Sequence, residues 1–168
     1  MSVFSSSTIR HALFLTVLTS GLVFSAVASA KTVRMGRLGA SVSIPAGWKK
    51  TAVAPGKSVT FSMPKGGKFS VTRKAKKLPL KRVAAGIKKR GAKLGWRLLQ
   101  ERRNILHRGK RAHLLVYQIP TSKPGVKVRA AFYLVNTPNG YYTLFFGTKR
   151  KHFRNGLYKA VYRTFRVL

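Results

Sequence analysis

Any chemistry on this chain must come from three histidines, one carboxylate and a large excess of cations. Beyond residue 30 the histidines are His107, His113 and His152, and Glu101 is the only acidic residue in the sequence. A pair of histidines with a lysine can cleave RNA by general acid/base catalysis. That arrangement makes a histidine-dependent hydrolase one alternative reading. No two of these histidines stand at metal-ligand spacing, and no cysteine is present to supply a thiolate. There is no Gly-x-Ser-x-Gly element and no P-loop. Gly36-Arg37-Leu38-Gly39 and Lys65-Gly66-Gly67-Lys68 read as turns first, and only second as backbone cradles for phosphate. The expectation is a non-enzymatic protein with no catalytic residue, no metal site and no cofactor.

The cations are the stronger signal. Thirty-five lysines and arginines against one acid give a net charge of +34 on 168 residues. Just over half of the cationic side chains beyond residue 30 fall between residues 65 and 111. Lys74, Lys76, Lys77, Lys88, Lys89, Arg102, Arg103, Arg108, Lys110 and Arg111 form the candidate face for a polyanion. Its ligand would be lipopolysaccharide, an anionic lipid surface, an acidic exopolysaccharide or extracellular nucleic acid, and a protein partner is open as well. Nucleic acid would need aromatic platforms among the cations, and Tyr158 and Tyr162, beside Arg154, Lys159 and Arg163, are the candidates for exposed ones. No nucleic-acid motif accompanies them. The competing explanation is a surface that is cationic everywhere, with this segment its densest part.

Polyanion binding accounts for many lysines but not for the removal of acids. Carboxylates titrate near pH 4, and acid unfolding largely reflects loss of the native pairs they make. A chain with one carboxylate has little to lose as the pH falls. The sequence therefore points to an accessory or binding protein suited to an acidic environment, with a dedicated polyanion binder as the alternative.

The first thirty residues read as a secretory leader. Arg10 precedes the apolar run Leu13–Leu18, which resumes at Gly21–Phe24 and ends in Ala28-Ser29-Ala30. The interrupted core is short of the roughly 20 residues a spanning helix needs. Cleavage near Ala30 would place residues 31–168 in the periplasm or outside the cell, as one domain without disulfides. Hydrophobic residues make up 45% of the chain, which argues for a packed core and against a disordered basic tail.

Alternation predicts strands over 40–44, 58–63 and 69–73, closed by turns at Pro45-Ala46-Gly47-Trp48 and Pro64-Lys65-Gly66-Gly67. Helical spacing of Leu80, Val83, Ala84, Ile87, Gly91 and Leu94 predicts a helix there. Strands over 96–107 and 112–119 should pair across Arg108–Arg111, and strands over 126–136 and 141–147 across Thr137-Pro138-Asn139-Gly140. The last two are apolar on both faces, so both faces should be covered. Phe153, Leu157, Ala160, Val161, Thr164, Phe165 and Leu168 predict a C-terminal helix as one cover. The expected fold class is α+β, a mostly antiparallel sheet of six or seven strands sandwiched between helices.

Two phrases carry a likeness to a known family. Val42-Ser43-Ile44-Pro45-Ala46-Gly47-Trp48, followed by Phe61-Ser62-Met63-Pro64, resembles the opening element of the PsbP-like proteins. Tyr141–Phe146 with Phe153 and a helix ending at Phe165 resembles their closing element. Exported bacterial proteins of the DcrB type share that fold, and the chain resembles them. The resemblance implies one α/β/α domain over residues 31–168 that binds or assists in assembly, and it implies no catalytic residues.

Overall fold

The computed structural model describes residues 30–168. Residues 1–29, and with them the expected leader, lie outside the described residues. Ten strands and two helices follow: β1 (Lys31–Met35), β2 (Ala40–Ile44), β3 (Lys49–Ala54), β4 (Ser58–Ser62), β5 (Gly67–Lys74), α1 (Leu80–Lys93), β6 (Arg97–His107), β7 (Lys110–Pro120), β8 (Lys127–Thr137), β9 (Gly140–Lys149), α2 (Asn155–Thr164) and β10 (Arg166–Val167). Short 3-10 turns at Gly36–Leu38 and Arg150–His152 precede β2 and α2.

Seven strands form one antiparallel sheet in the order β3-β4-β5-β9-β8-β7-β6. The expected strands and helix α1 are all present. The expected sandwich of a sheet between helices is not. Strands account for 53% of the described residues and helical turns for 22%, too little helix to blanket both faces of seven strands. Instead, a second sheet of β1-β2-β10 lies with α2 on one face of the large sheet.

The reason lies at the chain ends. α2 stops at Thr164, and the helical spacing that ran on to Leu168 is not followed, because Phe165 is extended (ψ 132°) and β10 pairs with Ser41 and Ala40 of β2. The Leu168 amide then donates to the Gly39 carbonyl. β1 closes the other side of β2, which is buried along most of its length. Lys31–Met35 and Lys49–Ala54 are polar, weakly alternating segments, and their strand state comes from hairpin pairing with the strands that follow them, β2 and β4, rather than from propensity.

Two cores result. The larger joins β2 and α2 to Val59, Phe61, Phe69, Val71, Leu114, Tyr133, Leu144 and Phe146 of the large sheet, with Trp48 packed on Phe69 and Phe146 at the corner. The smaller lies under α1, where Leu80, Val83, Ala84 and Ile87 meet Leu115, Tyr117, Phe132 and Leu134. α1 covers only the β6–β8 side. On β4 and β5 that face carries Ser58, Thr60, Ser62, Ser70 and Thr72, alternating with core residues as in a sheet with one side left to solvent.

α2 is also turned relative to the expected phase. Its inner side is Tyr158, Val161 and Tyr162, followed by Phe165, all buried. The aromatic pair expected to be exposed is core: Tyr162 stacks on Tyr133 at 4.9 Å and its hydroxyl donates to the Ala131 carbonyl at 2.9 Å. No stacking platform for bases remains in that pair.

Candidate functional site: a cationic surface around one carboxylate

Glu101 is where the structure concentrates its polar contacts. It lies on β6 opposite Leu115 and faces α1. The Arg103 guanidinium grips it in a fork, Nε to Oε1 at 2.9 Å and Nη2 to Oε2 at 3.2 Å. Lys88 Nζ reaches down from α1 to both oxygens at 3.3 Å. His113 Nε2 donates to Oε1 from β7 at 3.0 Å, with its side chain only 5% exposed. One carboxylate thus ties α1, β6 and β7 together.

Strand geometry explains the gathering. Arg103 is two residues beyond Glu101 and so shares its side of the sheet. Between the pairs Arg102↔Leu114 and Ile105↔Ala112, β6 carries two residues and β7 only His113, which makes a β-bulge. Asn104 occupies it with φ +54°, a left-handed conformation that asparagine tolerates better than most residues. The hairpin starts from His107↔Lys110 across Arg108-Gly109, whose φ values of +49° and +74° mark a tight two-residue turn. Counted from that turn without a bulge, Glu101 would stand opposite Val116 and point into the core shared with α2. A one-residue slip moves side chains to the opposite face. The bulge is therefore what brings Glu101 to Lys88 and His113.

The carboxyl of Glu101 is held down to a pKa of about 2, from an ordinary 4.5. The Arg103 hydrogen bonds are the largest cause, and partial burial works against them. Hydrogen bonds from His113 and Lys88 and the Lys88 charge add to the lowering. Three basic partners around one carboxylate keep it ionised in acid where an ordinary glutamate would be neutral.

The ten cations expected to form one face are divided by the sheet. Arg102 pairs with Leu114, so it points to the α2 side, whereas Arg103 and Lys88 stand on the α1 side and are engaged by Glu101. Lys89 is exposed on the helix above them. Arg108 donates through Nη2 to the Arg163 carbonyl at the end of α2, 3.2 Å away. Lys74, Lys76 and Lys77 are exposed where β5 leads into α1. Register places them at the same end of the sheet as Arg108, Lys110 and Arg111, with β9 and β8 between. Three strand spacings separate Lys74 from Arg111, about 14 Å. Six of the ten thus share one end of the sheet, and the other four do not.

The histidines are not brought together. His107 faces the α2 side, where Nε2 donates to the Phe165 carbonyl at 2.9 Å, and His113 faces α1 across the sheet. His152 follows β9 at the far end, where partial burial first, then Lys151, Lys65, Lys149 and Arg154, hold its pKa below the usual imidazole value. Among the described residues no cluster of three metal-ligating side chains occurs. Nor is any described helix long and apolar enough to cross a membrane. The role of Glu101 escaped the sequence reading because its partners depend on a bulge. Its only advance signal was its solitude.

No protein-family model matches the chain, and no curated protein matches it either. Solved structures do resemble it at low identity. A Bacteroides thetaiotaomicron protein matches with a TM-score of 0.53 and 12% identity over 79% of this chain, which spans 46% of that one. A Pseudomonas aeruginosa protein of unknown function, described as a candidate regulator, matches with a TM-score of 0.49 and 18% identity over 73% of this chain and 84% of that chain. At 12% identity the likeness to the Bacteroides thetaiotaomicron protein is one of fold alone. The chain has a β-rich fold.

Proposed function

We propose that this is an exported, non-enzymatic accessory or binding protein built to keep its fold in acid. The observation that carries the reading is the state of its single acidic side chain. Glu101 is pulled down to a pKa of about 2 by Arg103, His113 and Lys88, so its contacts persist through the range in which ordinary carboxylate pairs fail. The remaining stability comes from two apolar cores and backbone ladders, which do not titrate. The cationic surface then serves solubility by mutual repulsion. Export rests on the leader-like residues 1–30, and kinship with the PsbP-like, DcrB-type proteins rests on the Pro45-Ala46-Gly47-Trp48 turn and the Tyr141–Phe146 strand. The test is thermal unfolding from pH 5 to pH 2 at constant ionic strength, below the range in which histidines ordinarily protonate. A loss much steeper than one proton per molecule would overturn it.

A second reading, contact with an anionic polymer, draws on the six cations at one end of the sheet. Lys74, Lys76, Lys77, Arg108, Lys110 and Arg111 would follow a polyanion across roughly three strands. Binding to heparin or lipopolysaccharide should fall steeply with salt. Neutralising these six should weaken it far more than neutralising six cations elsewhere, and equal effects would mean charge without a site.

A further inference from the structure

A cleft of about 290 Å³ opens between the two sheets, away from the surface described above. Its walls are the edge strand of each sheet, β1 with the following 3-10 turn on one side and β3 with the Pro55-Gly56 turn on the other. Its interior is apolar. Val33, Met35, Leu38 and Val59 form the floor, and Val53 stands 51% exposed on the wall. Arg34, Arg37 and Lys50 belong to the same lining. Apart from Glu101, on the far edge strand, the described side chains offer these three cations no acidic partner.

Apolar lining with cations at one site is a more selective combination than positive charge alone. On a surface this basic, nearby cations are expected anywhere, but a concavity with an apolar floor is not. Val53 is the exposed apolar side chain of this cleft, and it stands beside that floor rather than alone on a convex surface. The volume lies at the low end of the roughly 300–1,000 Å³ typical of small-molecule sites, enough for one alkyl chain and too small for a two-chain lipid. We propose that this cleft binds a single-chain anionic amphiphile, with the chain against Val33, Val53 and Val59 and the anionic head held by Arg34, Arg37 and Lys50. Chain burial supplies affinity through removal of apolar surface from water, and the cations select the sign of the head. This inference is independent of the acid-stability reading and of the six-cation end of the sheet.

Decanoate at pH 7, below its micelle concentration, is the probe, titrated into the purified protein by calorimetry. It should bind at least tenfold more tightly than butyrate, decanol or decyltrimethylammonium. The triple variant Arg34→Gln, Arg37→Gln, Lys50→Gln should lose at least tenfold for decanoate and little for decanol. Val53→Asp, on an exposed edge position where folding is insensitive, should lose both. Lys74→Gln with Lys76→Gln and Lys77→Gln should leave decanoate binding unchanged, and moderate salt should weaken it far less than it weakens heparin binding. Equal binding of butyrate and decanoate would mean charge without a cleft and would overturn the proposal. So would equal binding of decanol, no measurable binding, or indifference to the triple variant. Vesicles of anionic phospholipid distinguish the source: if Val53→Asp abolishes vesicle binding in parallel, the occupant is a membrane lipid and the free single-chain ligand is wrong.

Discussion

His113 Nε2 lies 3.0 Å from Oε1 of Glu101, an almost fully buried imidazole donating to the one acidic side chain of the sequence. The pair joins adjacent strands, and Arg103 and Lys88 complete it from the same edge and from the helix above. In a protein otherwise stripped of acids, the remaining one stands where a buried histidine, an arginine and a lysine converge.

The linkage between this carboxylate and stability has a definite sign. Because the folded pKa is depressed, its contribution is fully present above about 4.5 and is lost as pH falls toward about 2. One group can give a slope of at most about 1.4 kcal/mol per pH unit. Glu101→Gln should destabilise the protein by about 1–3 kcal/mol at pH 6, since hydrogen bonds to a charged group are lost at a largely buried site. The gap between the two proteins should narrow as pH falls from 4.5 to 2, read by thermal melts at each pH. A constant gap would show that the carboxylate charge contributes nothing.

The bulge at Asn104 should be sensitive to shape rather than polarity. Asn104→Val places a β-branched residue at φ +54°, at a cost of roughly 1–2 kcal/mol, whereas Asn104→Gly should be near neutral. Deleting Asn104 goes further, because the register of β6 beyond it slips by one and Glu101 turns toward the α2 core. Chemical denaturation of the three variants should rank them Gly, Val, deletion, from most to least stable.

Two tyrosines one helical turn apart should respond with opposite signs. The Tyr162 hydroxyl donates to Ala131, so Tyr162→Phe should cost about 1 kcal/mol. The Tyr158 hydroxyl is fully buried with no hydrogen-bond partner among the described residues, so Tyr158→Phe should be neutral or stabilising by up to about 1 kcal/mol. Equilibrium urea unfolding separates the two outcomes, and a large loss for Tyr158→Phe would contradict the packing described for α2.

Helix α1 carries a correctable weakness. Gly86 lies mid-helix with nothing within 4 Å of where a Cβ would stand, so Gly86→Ala should stabilise by about 1 kcal/mol. At Gly91 a Cβ would come within 3.2 Å of Trp96 and 3.4 Å of Tyr117, and Gly91→Ala should lose most of that gain. The difference between their melting temperatures measures how closely the helix end is seated.

Much of the strand plan is legible in the residues themselves. The two-faced apolarity of Ala131–Val135 and Tyr141–Phe146 marks the central strands, Pro138-Asn139-Gly140 marks the turn between them, and Arg108-Gly109 marks the turn between β6 and β7. These features are local, set by side-chain period and by backbone conformations a few residue types tolerate. Net charge, the absence of cysteine and the solitude of Glu101 are likewise properties of the sequence alone. Tertiary structure decided the rest. Lys31–Met35 and Arg166–Val167 become strands only because β2 offers them both its edges, and the helical phase of Asn155–Thr164 follows the aromatic core beneath it rather than its own spacing. The bulge around Asn104 decides which side of the sheet receives Glu101. β10 reaches β2 across most of the chain, whereas β1 and the bulged β6 pair with their neighbours in sequence, where a one-residue offset that side-chain period does not encode reverses which face a side chain occupies.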